Sequence, residues 1–195
     1  KWAFRIDHLL NLNWSENESG VETLDHAVDY VTREIDEATK NGCTSIKNAL
    51  GYTRTLDIGQ PTYDEARRAF NGLWVKKPFT FDVRKAPILN DIESQRNLKT
   101  VQDYLLKQIL IKSGLLNLAS QFHTGGGLAP TDIRNGHPLL LYNTFYDRDI
   151  LEAGTKFVIL HTSVPFFSEA AIAANSFPHV YVDVSWPLRT LITRE

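Results

Sequence analysis

Short strand-like runs alternate with segments of helical period along this chain, and no other feature narrows its fold as much. Three of the runs, 115–123, 157–161 and 180–184, are rich in apolar residues, as strands covered on both faces require, although 115–123 is interrupted at Asn117, Ser120 and Gln121. A fourth spans 43–51, and Trp2, Phe4 and Ile6 alternate with Ala3, Arg5 and Asp7 as a short strand at the start. Between them the pattern turns helical. Val21, Leu24, Val28, Val31, Ile35 and Ala38 recur at helical spacing over 19–41, with Ser19 and Glu22 in capping-box positions and Gly42 as the stop. Pro61, Thr62 and Glu65 open a second helix that runs to about Val75. Pro78 and Pro87 mark a loop, and a long helix then runs from Asp91 to Ser113, stopped by Gly114. Shorter helical stretches fall around 139–151 and 168–176.

Parallel strands need long crossovers, so this alternation predicts an α/β fold. The segments 43–51, 116–123, 157–162 and 179–185 are expected as adjacent parallel strands. A doubly wound sheet and a barrel both satisfy the pattern, and periodicity does not separate them. With 195 residues, no repeat and no linker, one domain over 1–195 is the economical reading.

Composition removes several functions. A net charge of −2 gives no electrostatic reason to expect nucleic acid or a membrane surface, and no apolar run approaches the roughly 18 residues of a span. The single cysteine, Cys43, excludes an intrachain disulfide and a multi-cysteine zinc site, which makes a reducing cytoplasm the expected compartment. The N-terminus does not read as a signal peptide. The absence of methionine and the helix-like opening at 188–195 point to a piece of a longer protein.

Functional groups of parallel α/β folds gather where strands end. Two of the runs end on histidine, His123 and His161, each followed by threonine. Imidazoles from neighbouring strand ends can converge on zinc, manganese or iron without any local spacing motif. The ordinary alternative is a hydrogen-bonded core histidine. Gly125, Gly126 and Gly127 offer either backbone N–H groups for an anion or simply a loop with room for substrate. Lys47, inside a strand, reads as a salt-bridged interior lysine on these grounds alone, Asp183 as a brace for its strand end, and Cys43 as a buried structural thiol. Ser163 and Ser185 lack the surroundings of a nucleophile elbow.

The motifs at these residues resemble a known family. The stretch 121–125 (QFHTG), with 135–141 (NGHPLLL), resembles the fifth-strand region of the amidohydrolase superfamily, specifically its amidohydrolase-related group 2. The likeness is greatest to the hydrolase-like domain of FluG and nodulin-type proteins and its free-standing bacterial relatives. The stretches 158–166 and 177–185 are similar to the sixth and seventh strands, and Lys47 with 52–57 to the fourth. The resemblance implies a (β/α)8 TIM-type barrel, incomplete here and holding about strands three to seven. It further implies a divalent metal, zinc first and manganese as the alternative, bound by His123 and His161. His161 and Lys47 are implied as catalytic groups, and Arg54, Gly125 and Gly126 as substrate contacts. The family's His-x-His pair is absent from this chain, and the sequence stops before its final aspartate.

The expected activity is therefore hydrolysis of a C–N bond in a small molecule by metal-activated water. Decarboxylation, isomerisation and a non-catalytic regulatory or scaffold barrel are the alternatives, and a homo-oligomer is compatible with the sequence.

Overall fold

The structure, a computed structural model, describes residues 2–10, 12, 20–74, 91–127 and 131–185. Five strands, β1 (Trp2–Arg5), β2 (Cys43–Asn48), β3 (Ala119–Phe122), β4 (Lys156–Ile159) and β5 (Val180–Val182), pair in parallel in the order of the chain. The four predicted strands are present, adjacent and parallel, and each is shorter than the apolar run that announced it. A doubly wound sheet reverses its strand order at a switch point. This sheet shows no such reversal among the described residues.

The two faces of the sheet differ in chemistry. Ile46, Ser120, Phe157 and Val180 stand side by side in register, as do Asn48, Phe122, Ile159 and Val182. Their apolar members pack with helix residues in one continuous core. The helices are α1 (Asp7–Leu10), α2 (Leu24–Lys40), α3 (Tyr63–Trp74), α4 (Ile92–Leu115), α5 (Tyr142–Phe145), α6 (Arg148–Glu152) and α7 (Phe167–Ser176). The opposite face carries Arg5, Lys47, Gln121, Val158 and Tyr181 in one row, and all five keep some exposure among the described residues.

Local chemistry sets the helix ends. Thr62 and Glu65 form the predicted capping box at α3: Thr62 N donates to the Glu65 carboxylate at 2.8 Å and Glu65 N to Thr62 Oγ1 at 3.3 Å. At α2 the cap is Thr23, whose hydroxyl accepts from His26 N, so the Ser19–Glu22 box is corrected to a start four residues later. Ser19 itself lies outside the described residues, as do Val75, Pro78, Pro87 and the stretch 188–195. Gly42 is the stop expected of it, in the left-handed conformation at φ 85°. Gly114 is not a stop. It lies inside the last turn of α4, where an added Cβ would meet Ala153 O and the Thr155 side chain, so its role is close approach of backbone. The helix ends in a Schellman motif at Asn117, with Asn117 N donating to Gly114 O and Leu118 N to Ser113 O. The stretch 139–151 is broken into short pieces, with 3-10 turns at Ile133–Gly136 and Pro138–Leu141 leading into α5 and α6.

The long β2–α3 connection is pinned to α4 by ion pairs. Asp103, 2% exposed, meets Arg54 and Lys99, each at 2.6 Å, and accepts from Gly59 N at 2.8 Å. Truncating one partner of such a set strands the other charges in a poorly solvated place. Asp103→Ala is therefore expected to destabilise the protein by about 3 kcal/mol in denaturant unfolding. A loss below about 0.5 kcal/mol, the level of a surface change, would show that the cluster does not anchor this connection.

Candidate active site

His123 follows β3 one pleat beyond Gln121, so its ring emerges on the polar face at the carboxyl edge of the sheet. His123 N still donates to Asn48 O at 3.0 Å, which extends the ladder and fixes the backbone below the ring. His161 sits at the same edge, just past β4, and the two ring centroids are 4.9 Å apart at 60°. Both strand-end histidines thus converge, although they are 38 residues apart in sequence.

The His123 ring is tightly held. Its Nε2 lies 3.1 Å from Gly126 O and its Nδ1 3.3 Å from Tyr52 Oη. A carbonyl can only accept, so Nε2 carries the proton and Nδ1 accepts from the Tyr52 hydroxyl. Tyr52 also lies over the ring at 4.1 Å between centroids. Burial, reinforced by the neighbouring His161 and then by Lys47 and Arg5, pushes the His123 imidazole down to about 4, against an upward pull from Gly126 O. His161 is also lowered, first by burial and then by Lys47, while Asp183 pulls it upward. Both rings are therefore neutral near pH 7, the form that binds metal.

The loops bearing the histidines are stitched together. Thr124 Oγ1 donates to Leu160 O at 2.9 Å, Ser163 Oγ to Thr124 Oγ1 at 2.7 Å, and Gly126 N to Val164 O at 2.7 Å. Gly125, at φ 70°, passes so close to Ser163 and Val164 that any Cβ would collide with their backbone. Gly127 rests on the edge of the His123 ring and on Tyr52 Oη.

Beyond β4 the backbone is strained. His161, Thr162 and Ser163 all lie in the left-handed region, at φ 62°, 49° and 54°. For L-residues that conformation costs about 1–2 kcal/mol each, so neighbouring contacts must over-determine it. Such runs concentrate at functional sites.

The other expected site residues divide. Lys47 lies on the polar face between Arg5 and Gln121 in register, with no ion pair among the described residues. Burial lowers its ammonium and nearby Arg5 lowers it further, against Asp7 and Asp183. Arg5 is paired with Asp7 at 2.7 Å, and Asp7 also accepts from Ala49 N at 2.7 Å. The N–H groups of Gly125 and Gly126 are committed to Gly136 O and Val164 O, so they form no anion cradle. Arg54 is not brought to the site: its guanidinium is engaged with Asp103 and Thr55 O. From sequence Tyr52 stands only within the 52–57 segment, Thr124 only as the residue after His123, and Ser163 only as a serine without a nucleophile elbow; none carried a site role. Among the described residues no three His, Cys, Asp or Glu side chains stand close enough to hold a metal ion.

No family model matches this sequence, and no curated protein matches it. Solved structures do share its fold. A Lactobacillus casei protein inferred to be a metal-dependent hydrolase superposes over 94% of this chain with a TM-score of 0.69 at 22% identity. Uronate isomerase of Thermotoga maritima superposes over 92% with a TM-score of 0.64 at 14% identity. At these identities the likeness is one of fold, an α/β parallel sheet like that of TIM-barrel-like proteins. The chain spans 43% and 42% of those two structures, less than half of each.

A histidine held neutral by folding makes stability depend on pH. Between pH 6.5 and 4 the unfolded imidazole takes up a proton that folded His123 refuses, so stability falls as pH drops through this window. The expected loss from this residue is about 2–3 kcal/mol in chelator-treated protein. In a urea-unfolding series from pH 7 to pH 4, His123→Asn should flatten the profile by that amount. An unchanged slope would contradict the burial assigned to this ring.

Proposed function

We propose that the intact protein is a metal-dependent hydrolase that cleaves a C–N bond, amide or related, in a small molecule. One observation carries the reading: two neutral imidazoles from neighbouring parallel strands meet at the carboxyl edge of a sheet whose fold is shared with a protein inferred to be a metal-dependent hydrolase. The finer kinship, to the FluG and nodulin-type hydrolase domain, rests on the sequence motifs. The proposed architecture of the intact protein is a closed (β/α)8 barrel, to which these five strands contribute one wall.

The donor chemistry fits a divalent ion. Imidazole nitrogens suit zinc foremost and manganese as the alternative, and burial maintains the unprotonated ring that ligation needs. Among the described residues no third histidine, cysteine or carboxylate joins His123 and His161 closely enough to hold a metal ion, so a bound ion requires further ligands from beyond those residues. When bound, the ion provides an activated water near neutral pH and polarises the electrophile.

The chain's own residues do the rest. His123 would hold the ion, with His161 as the candidate second ligand, and the His123 nitrogen so used would have to give up its present partner, Gly126 O or Tyr52 Oη. His161, less buried than His123, would either be the second ligand or, left free of the ion, take a proton from the attacking water and hand it to the leaving nitrogen. Lys47 presents its ammonium on the same polar face, where it stabilises negative charge developing on the substrate oxygen. Gly127 lets its loop lie against the His123 ring and Tyr52 Oη, where any Cβ would collide, and Gly125 does the same against Ser163 and Val164.

An isomerase or decarboxylase of the same superfamily is the second reading, favoured by the fold shared with uronate isomerase. Metal analysis and a screen of amide and related substrates with the full-length protein test the proposal. Wild type should hold at least one divalent ion per chain, and His123→Ala and His161→Ala should each weaken metal affinity and turnover by roughly 100-fold or more. Metal-replete protein that isomerises or decarboxylates, but does not hydrolyse, would transfer the site to the second reading. Absence of metal from wild type would leave a scaffold barrel.

A further inference from the structure

The geometry points to Asp183 as the positioning residue that holds His161 at the mouth of the site, by fastening the left-handed turn at 161–163 to the end of β5. The inference rests on the reading of His161 as a working group and adds what places it there. A strand that runs on past Ile159 in extended conformation would carry its next side chains alternately to the two faces. The chain instead turns left-handed at His161, Thr162 and Ser163, none of them glycine. Something outside the turn must hold it in that form.

Asp183 supplies that hold from two directions. Its carboxylate Oδ2 accepts from His161 N at 3.2 Å, and its backbone carbonyl accepts from Thr162 N at 2.8 Å and Thr162 Oγ1 at 3.0 Å. The same Oδ2 stands 3.8 Å from His161 Nδ1, so one oxygen addresses both the backbone and the ring of the histidine. The aspartate is itself fixed. Asp183 N donates to Ile159 O at 2.8 Å, while Ser185 N and Ser185 Oγ donate to Oδ1 and Oδ2 at 3.1 and 2.7 Å. From the far side of the turn, Ser163 Oγ is tied to Thr124. Asp183 is thus not offered as a metal ligand or a base. Its carboxylate is spent on donors of the turn and of Ser185.

Hydrogen–deuterium exchange of the 160–164 segment in full-length protein, with crystal structures of the variants, tests this. Asp183→Ala removes the acceptor of His161 N, and exchange of the segment should rise roughly tenfold or more, with His161 leaving positive φ. Asp183→Asn keeps one oxygen for the His161 amide and the Ser185 hydroxyl, and should restore most of the protection. That rescue separates positioning from simple loss of packing. Ser185→Ala loosens the carboxylate without touching the turn, and a rise of roughly threefold is expected even where Asp183→Ala fails to fold. Wild-type exchange in Asp183→Ala, or in Ser185→Ala when Asp183→Ala does not fold, overturns the role, as does a turn that stays left-handed without the carboxylate. Neither readout involves metal or substrate. Turnover that survives His161→Ala would overturn the reading of the site and leave the fastening intact.

Discussion

Parallel pairing in strict chain order is the constraint on which the rest of the structure depends. It sends the carboxyl ends of neighbouring strands to one edge, and it gives the same parity to residues that stand in register. His123 and His161 meet because their strands are adjacent, run the same way and end together, so no local motif joins them. The same register sets Arg5, Lys47 and Gln121 in one polar row beneath them, while Ile46, Phe122 and Phe157 turn to the helices. A single slip of β3 against β2 would send His123 into the core and Phe122 into the mouth.

The site is held in a low-charge state by burial and by its own hydrogen bonds. His123 gives up its water for two protein partners, and protonating it there would put charge beside His161 and Lys47. Asp183 stays below the usual carboxylate range because hydrogen bonds from Ser185 and His161 N outweigh the upward push of burial. The strained turn at 161–163, the Thr124–Ser163 pair and the glycine contacts around Gly125 all act on the two loops that carry imidazoles. A left-handed run of three non-glycine residues costs about 1–2 kcal/mol per residue, so these contacts together must hold it.

Much of this was legible in the sequence where periodicity or capping chemistry carries the signal. The strands, the helix α2 with its Gly42 stop, the Thr62–Glu65 box and the buried thiol of Cys43 all follow from residue type and spacing. What stayed hidden depends on contacts between distant segments. Gly114 looks like a stop in sequence, yet the 153–155 backbone packs against it. The resemblance makes Arg54 a substrate contact, yet Asp103, nearly 50 positions later, claims it. Tyr52 becomes the partner of His123 only when β2 and β3 lie side by side. The left-handed turn has no glycine to betray it, since its conformation is imposed from β5.

Anomalous diffraction from crystals of the intact protein grown in excess zinc addresses the central claim most directly. The account predicts a peak between the His123 and His161 imidazoles at about 2.0–2.1 Å from a nitrogen of each, with one of the His123 hydrogen bonds to Gly126 or Tyr52 replaced. Zinc bound elsewhere, with both of those hydrogen bonds intact, would mark His123 as a satisfied core histidine and contradict the account.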